Sequence, residues 1–326
     1  MQENLYRDLN SYLREKYGCR VQKITVDAGL TCPNRDGSIS TGGCIYCNPK
    51  GSGTGAAQQN LGIKEQLESA KGFLRKRYKA KKFLAYFQSF SNTYAPFSRL
   101  RNMYEQALEV EDVVGLTIGT RPDCVENRVL DYLQSLSTDY LIWMEYGLQS
   151  AINETLHRIN RGHTTAEFED AVLRTRERAM PVCAHVILGM PGEGREEIMQ
   201  TARYLNRVKV DSVKIHLLYV VEGTKLQRQY EKGEYRCLDR QEYISLVGEF
   251  LSLLSPQMIV QRLTGDPHKE ELIAPQWALR KQENLRAIHE YMRENGLYQG
   301  KFLGWDGERE GLRDVETKRL RDGGRD

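Results

Sequence analysis

Seven short β-rich runs, separated by longer amphipathic stretches, limit what this chain can become more than any other feature. The runs span 21–26, 83–87, 114–118, 141–147, 182–188, 212–218 and 259–263. Helical periodicity falls between them, near 63–78, 99–109, 127–136, 165–178, 195–207 and 239–254. Thr164 with Glu167 and Asp239 with Glu242 have the form of capping boxes. Strand then helix, repeated, specifies an α/β chain with a parallel sheet, because parallel neighbours need a crossover connection. About six right-handed crossovers curl such a sheet into a full or partial barrel; an open doubly wound sheet is the alternative, and periodicity does not separate them. In both, polar chemistry gathers where strands end. Here the runs lead into turns such as Gln88-Ser89-Phe90-Ser91-Asn92, Gly119-Thr120-Arg121-Pro122-Asp123 and Gln149-Ser150.

The two ends of the chain read differently. Leu5, Leu9, Tyr12 and Leu13 share one helical face over 4–17, with Gly18 as a stop, so 1–17 is expected to be a leading helix. The core is expected over 18–263. Beyond Leu263 comes the turn Thr264-Gly265-Asp266-Pro267, then a helix over 277–295, making 264–326 a C-terminal helical extension. Its end, Gly311 to Asp326, is charged and poor in apolar residues, which is the composition of a mobile tail. With 326 residues and 40% hydrophobic content, the chain has enough apolar surface for a substantial core. The opening residues lack an apolar signal region and no later stretch approaches a membrane span. The expected setting is cytoplasmic, with no membrane partner. Net charge is only +3, but seven basic residues and no acid lie between Lys71 and Lys82. That run is either a solvated helix face or a footprint for a phosphate backbone.

Cysteine usage is more specific. Seven cysteines, odd in number and unevenly spread, do not read as a disulfide framework, and three crowd into sixteen residues. Cys32, Cys44 and Cys47 form a C-x11-C-x2-C arrangement, with Gly42-Gly43 permitting a tight fold before the pair. Structural zinc takes four protein ligands, so a zinc site would need a distant cysteine or a histidine to complete it. An iron–sulfur cubane held by only three thiolates keeps one iron open. An open iron can do chemistry: in radical enzymes with such a cluster it is chelated by the amino and carboxylate groups of S-adenosylmethionine, whose reductive cleavage gives a 5'-deoxyadenosyl radical. Cys19, Cys124, Cys183 and Cys237 read as packed thiols, and no second crowded group suggests an auxiliary cluster.

Cys-Pro-Asn-Arg-Asp-Gly followed by Gly-Gly-Cys-Ile-Tyr-Cys resembles the YtqA/YhcC type of radical SAM protein, in the group that includes the Elongator catalytic subunit. Further blocks are similar and in the same order: Gly119 to Asp123, Glu145 to Ser150, Asn160 to Thr164, His185 to Gly192, Lys214 to His216 and Glu222 to Thr224. The resemblance covers roughly residues 18 to 300. It implies a partial (β/α)6 TIM-like barrel with a 4Fe-4S cluster on Cys32, Cys44 and Cys47 at its open end. Where radical SAM proteins often carry Gly-Gly-Glu against the methionine amino group, this chain has Tyr86 to Tyr94, so Gln88, Ser89 and Asn92 become the candidate contacts. Thr120, Arg121 and Gln149 are candidates for the cofactor's carboxylate, its ribose or the substrate; an ion pair of Arg121 with Asp123 or Glu145 is the structural alternative. His163, His185 and His216 carry no assigned role. The resemblance also implies a reductant such as flavodoxin or ferredoxin. It points to tRNA as substrate, through conversion of carboxymethylaminomethyl to aminomethyl at the wobble uridine. A small metabolite, a peptide, or a zinc-stabilised RNA-binding role without catalysis are the competing expectations.

Overall fold

All seven β-rich runs join one sheet, and every neighbour pair in it is parallel. The computed structural model describes residues 4–48 and 61–304. The strands are β1 (Val21–Val26), β2 (Lys82–Phe87), β3 (Val113–Thr120), β4 (Leu141–Gln149), β5 (Val182–Leu188), β6 (Ser212–Leu217), β7 (Val220–Val221), β8 (Ile259–Arg262) and β9 (Leu272–Ala274). The order across the large sheet is β1-β2-β3-β4-β5-β6-β8, while β7 and β9 pair antiparallel beside it. Crossovers are made by α2 (Ile63–Tyr78), α3 (Phe97–Leu108), α4 (Asn127–Leu136), α6 (Thr165–Glu177), α7 (Arg195–Arg207) and α9 (Arg240–Leu253). The Asp239 box closes as expected: Glu242 N–H donates to Asp239 Oδ1 at 2.8 Å, and Asp239 N–H donates to Glu242 Oε2 at 3.2 Å.

Four features differ from expectation. The leading helix α1 covers Leu9–Tyr17 only, because Asp8 caps it by accepting Ser11 N–H at 3.1 Å. The residues before it run beside the sheet's last strand instead, where Val260 N–H donates to Arg7 O at 2.8 Å. That covers an edge that would otherwise invite another chain. Short helices α5 (Asn153–Arg158) and α8 (Lys225–Glu231), and the β7/β9 pair, have too few residues to show a period. The predicted 277–295 helix divides into a 3-10 turn, Gln276–Leu279, and α10 (Lys281–Glu294). The expected tail from Gly311 lies outside the described residues.

Strand alternation sorts the two faces of the sheet. Ile24, Phe83, Ile118, Met144, Val186 and Ile215 point outward into the core shared with the helices. The inner face is layered. At the N-terminal ends of the strands, Val21, Leu84, Trp143, Cys183 and Ile259 pack with Leu13 of α1 into an apolar plug. One turn of the pleat higher the lining becomes ionic. Lys23 Nζ of β1 lies 2.6 Å from Glu145 Oε1 of β4 and 2.6 Å from Gln261 Oε1 of β8. Side chains of the first and last strands therefore meet across the lumen, and the sheet is a curled half-barrel.

Glu145 is the hub of that layer and is fully buried, at 0% exposure. Besides Lys23 it accepts from Lys214 Nζ of β6 and is 2.7 Å from His185 Nε2 of β5. Burial opposes its ionisation, but Lys214 and Lys23 outweigh that and hold its carboxyl well below the usual range. Burial likewise pushes the Lys214 ammonium down to about 7, with Glu145 pulling the other way. Lys214 Nζ also sits 3.9 Å from the centre of the Tyr86 ring. Removing the one carboxylate strands two cations in the lumen. Glu145→Ala should lower unfolding free energy by about 3–5 kcal/mol, read from urea denaturation; a change within experimental error would contradict the hub assignment.

Candidate active site

The chain between β1 and the first crossover helix folds back on itself to bring its cysteines together. Arg35 N–H and Asp36 N–H both donate to Cys32 O, at 2.8 and 3.2 Å, making a tight turn directly after the first cysteine. Gly42 and Gly43 then take left-handed conformations, with φ of 83° and 75°, and reverse the chain so that Cys44 returns. Cys47 N–H donates to Cys44 O at 3.0 Å, setting the second and third cysteines on one turn.

The segment after α5 clamps this loop from across the barrel mouth. Asn160 Nδ2 donates to Gly43 O at 2.9 Å, and Ile45 N–H donates to Ile159 O at 3.1 Å. Arg161 is central to the clamp. Its Nη1 approaches Cys44 Sγ at 3.7 Å and its Nη2 donates to Gly147 O at 2.8 Å. A Cβ on Gly147 would stand 2.4 Å from Arg161 Nη2, so only glycine leaves this approach open. Asn34 Nδ2 also approaches Cys44 Sγ at 3.7 Å, and Arg35 Nη1 donates to Cys47 Sγ at 3.3 Å. Burial opposes the Arg161 charge, yet Cys44 and Tyr46 beside it more than restore it. Hydrogen bonds to sulfur are one of the levers by which a protein sets the reduction potential of a thiolate-held cluster.

All seven cysteines are free thiols. Cys32, Cys44 and Cys47 line one cavity of about 620 Å³ at the C-terminal ends of the strands. Among the described residues, the one group of three potential metal ligands whose ligand atoms fall within 4.8 Å of one another is Glu145, Cys183 and His185, not this triplet. The compact group is itself loaded with cations, since Glu145 already holds Lys23 and Lys214.

The other expected residues divide. Gln88, Ser89, Thr120, Arg121 and Gln149 line the same cavity; Asn92 is not part of its wall. Ser89 and Phe90 adopt φ of 100° and 58°, two consecutive left-handed positions without glycine, a strained turn held at the cavity edge. Asn92 instead builds that turn: its Nδ2 donates to Ser89 O at 2.9 Å and Gly119 O at 2.8 Å. Thr120 Oγ1 is 2.7 Å from Thr93 Oγ1. Arg121 is 1% exposed and already committed, gripping Asp123 at 2.9 and 2.6 Å and donating to Arg161 O at 2.5 Å. Its ion pair is with Asp123 and not Glu145, whose oxygens are taken. It thus supports the residue that reaches Cys44.

The basic run is at the wrong end of the barrel for the cavity. It occupies the C-terminal half of α2 and leads into the start of β2, whereas Gln88 and the cysteines lie where strands finish. Lys71 is buried against Glu68 at 3.1 Å, and Arg75 pairs with Asp112. Arg77 stacks over Phe73, which is 58% exposed.

A model of the radical SAM superfamily matches residues 35–205, and one of the radical SAM C-terminal domain matches 210–294. The chain belongs to the radical SAM superfamily. As such it is an enzyme whose cofactors are a 4Fe-4S cluster and S-adenosylmethionine. It is 41% identical to YtqA of Bacillus subtilis over 301 residues, covering 92% of this chain and 94% of YtqA. YhcC of Escherichia coli is 39% identical over 293 residues, 90% of this chain and 93% of YhcC. The tRNA uridine(34) acetyltransferase of Methanocaldococcus jannaschii is 28% identical over 192 residues, which is 56% of this chain but only 34% of that protein. Among solved structures, the archaeal Elp3 of Methanocaldococcus infernus shares the fold, with a TM-score of 0.66 at 19% identity over 86% of this chain and 64% of that one. No helix among the described residues of this radical SAM enzyme is long and apolar enough to cross a membrane.

The lumen of the enzyme also sets its response to acid. Burial pushes His185 down to about 4 although Glu145 pulls the other way, and burial with Arg262 holds His216 well below its usual value. In the unfolded chain both imidazoles take protons near pH 6.5, while the folded protein refuses them. The unfolded state then binds more protons, so stability falls as pH drops from about 6.5 toward 4. Urea midpoints measured across that range should decrease as pH falls; a flat profile would contradict imidazoles held neutral in the lumen.

Proposed function

We propose that Cys32, Cys44 and Cys47 ligate three irons of the 4Fe-4S cluster, with S-adenosylmethionine seated against Gln88, Ser89, Thr120 and Gln149. The convergence of the three thiols and these side chains on one cavity carries this reading. When bound, the cluster and S-adenosylmethionine supply a 5'-deoxyadenosyl radical, with electrons from a reductant such as flavodoxin or ferredoxin. The protein's own part is positional. Arg161 and Arg35 present donors to Cys44 and Cys47. Arg121, fixed by Asp123, holds the Arg161 backbone, and the Leu13–Trp143 plug closes the lumen below.

For the substrate we propose a wobble uridine of tRNA bearing a carboxymethylaminomethyl group. Hydrogen abstraction from the CH2 between amine and carboxylate, loss of one further electron to the cluster left oxidised by S-adenosylmethionine cleavage, and hydrolysis of the resulting imine by water would break the C–N bond. Aminomethyl is then left on the base and the two carbons are released as glyoxylate. Support comes from the tRNA uridine(34) acetyltransferase named among the relatives and from Elp3 as a shared fold. A cavity of about 620 Å³ suits one extruded base substituent beside the cofactor. A small metabolite is the second reading. It is favoured by the placement of the basic run at the far end of the barrel and by Asp266, Glu270 and Glu271 at the cavity wall, which repel a phosphate backbone.

Two measurements decide these readings. Changing any one of Cys32, Cys44 or Cys47 to Ala should remove reductant-dependent 5'-deoxyadenosine formation and lower bound iron after anaerobic reconstitution. Retention of both in all three variants would sink the ligand assignment. Nucleoside profiling of tRNA from cells lacking the enzyme should show carboxymethylaminomethyluridine accumulating at the expense of the aminomethyl form; an unchanged profile, with no redundant enzyme, favours the metabolite.

A further inference from the structure

A pairing irregularity in the last strand of the sheet places a cation in the cavity. Along β6 and β8 the register runs Ser212 with Ile259 and Val213 with Val260, then jumps to Lys214 with Arg262, leaving Gln261 as an extra residue. Strict alternation would send Ile259 and Gln261 into the lumen and Arg262 out to the helices. With the extra residue, Gln261 keeps its lumen partners, Lys23 Nζ at 2.6 Å and Ser212 Oγ at 2.8 Å, and Arg262 also lines the cavity. Bulges of this kind redirect side chains beside active sites.

Among the described residues, no acceptor lies within hydrogen-bond or ion-pair distance of the Arg262 guanidinium, although Asp266, Glu270 and Glu271 line the same cavity. Glu145, the carboxylate deep in the lumen, is already taken by Lys23, Lys214 and His185. Of the nearby acids, Asp266 pairs with Lys281 at 2.6 Å and Glu271 accepts from Asn48 at 2.9 Å. The Arg262 charge is also among the influences that push Lys214, His185 and His216 downward. His216 adds a second, independent observation. Its Nε2 is buried in the cavity wall with no hydrogen-bond partner among the described residues, although buried polar atoms are nearly always satisfied. Its ring lies 5.4 Å from that of His185.

We propose that Arg262 and His216 form a carboxylate-binding subsite at the corner of the cavity between β6 and β8, which receives a substrate's carboxylate. The subsite deepens the substrate reading above and rests on it for the identity of the carrier, a carboxymethyl group on nitrogen. One guanidinium with a neutral imidazole matches a single negative charge on a planar group. The acids at the cavity wall disfavour a polyanionic backbone at the same depth, so a short carboxylate-tipped side chain is the occupant that fits.

Two carboxylates reach such a cavity, the substrate's and that of S-adenosylmethionine, and the test separates them. Anaerobically reconstituted enzyme, saturated with S-adenosylmethionine, is titrated calorimetrically with N-acetylglycine and with its neutral counterpart N-acetylglycinamide. The acid should bind about tenfold tighter than the amide, Arg262→Gln should abolish that preference, and Arg262→Lys should keep part of it. Affinity for S-adenosylmethionine should stay within about twofold in Arg262→Gln. Absence of any preference in the unaltered enzyme overturns the proposal, whatever the variants do. So does a larger fall in S-adenosylmethionine affinity in Arg262→Gln, which would give the arginine to the cofactor. An Arg262-dependent preference in an enzyme that leaves tRNA uridines unchanged upholds the subsite and discards the tRNA reading.

Discussion

One buried carboxylate organises the interior of this barrel. Glu145 stands on the middle strand of the sheet, and Lys23, Lys214 and His185 reach it from β1, β6 and β5. These strands are not all hydrogen-bonded neighbours, so the ionic layer fixes the curl that backbone pairing alone leaves free. A charge buried this way costs several kcal/mol before its partners repay it, and an apolar lumen of equal volume would be as stable or more so. Its presence in the wall of the cysteine-lined cavity therefore reads as a functional arrangement. It provides a floor that is polar, rigid and already saturated with counter-charge.

A second chain of contacts leads to the cysteine loop. Asp123 holds Arg121, Arg121 holds the backbone of Arg161, and Arg161 reaches both Gly147 O and Cys44 Sγ. The consequence is that β3, β4 and the segment after α5 are locked to the cysteine loop through side chains that need not touch substrate. Pre-organisation of this kind places reactive groups before a ligand arrives.

Much of this was legible in the residues, and the omissions have physical reasons. The seven strands and most of the helices show because each element is long enough to carry its period, and the cysteine triplet shows because its spacing is local. Lys23 and Lys214 were not read as lumen residues. A lysine in a short β-rich run looks the same whether its neighbours across the sheet are water or a carboxylate. Arg262 was beyond reach for a sharper reason: its direction depends on one extra residue in β8, visible only in the pairing register. Arg121 stood between two readings until Asp123 was seen to grip it, and Asn92 was legible as a loop residue but not as the one that braces the loop. The basic run from Lys71 was conspicuous in sequence, yet its position relative to the cavity follows only from the direction of β2.

The plug of Leu13 against Trp143 fills the lumen at the N-terminal ends of the strands, and the cavity lined by the three cysteines and Arg262 lies toward their other ends. Its floor therefore belongs to the sheet and its rim to the loops, so a substitution in a loop can reshape the rim while the ionic layer beneath is left standing.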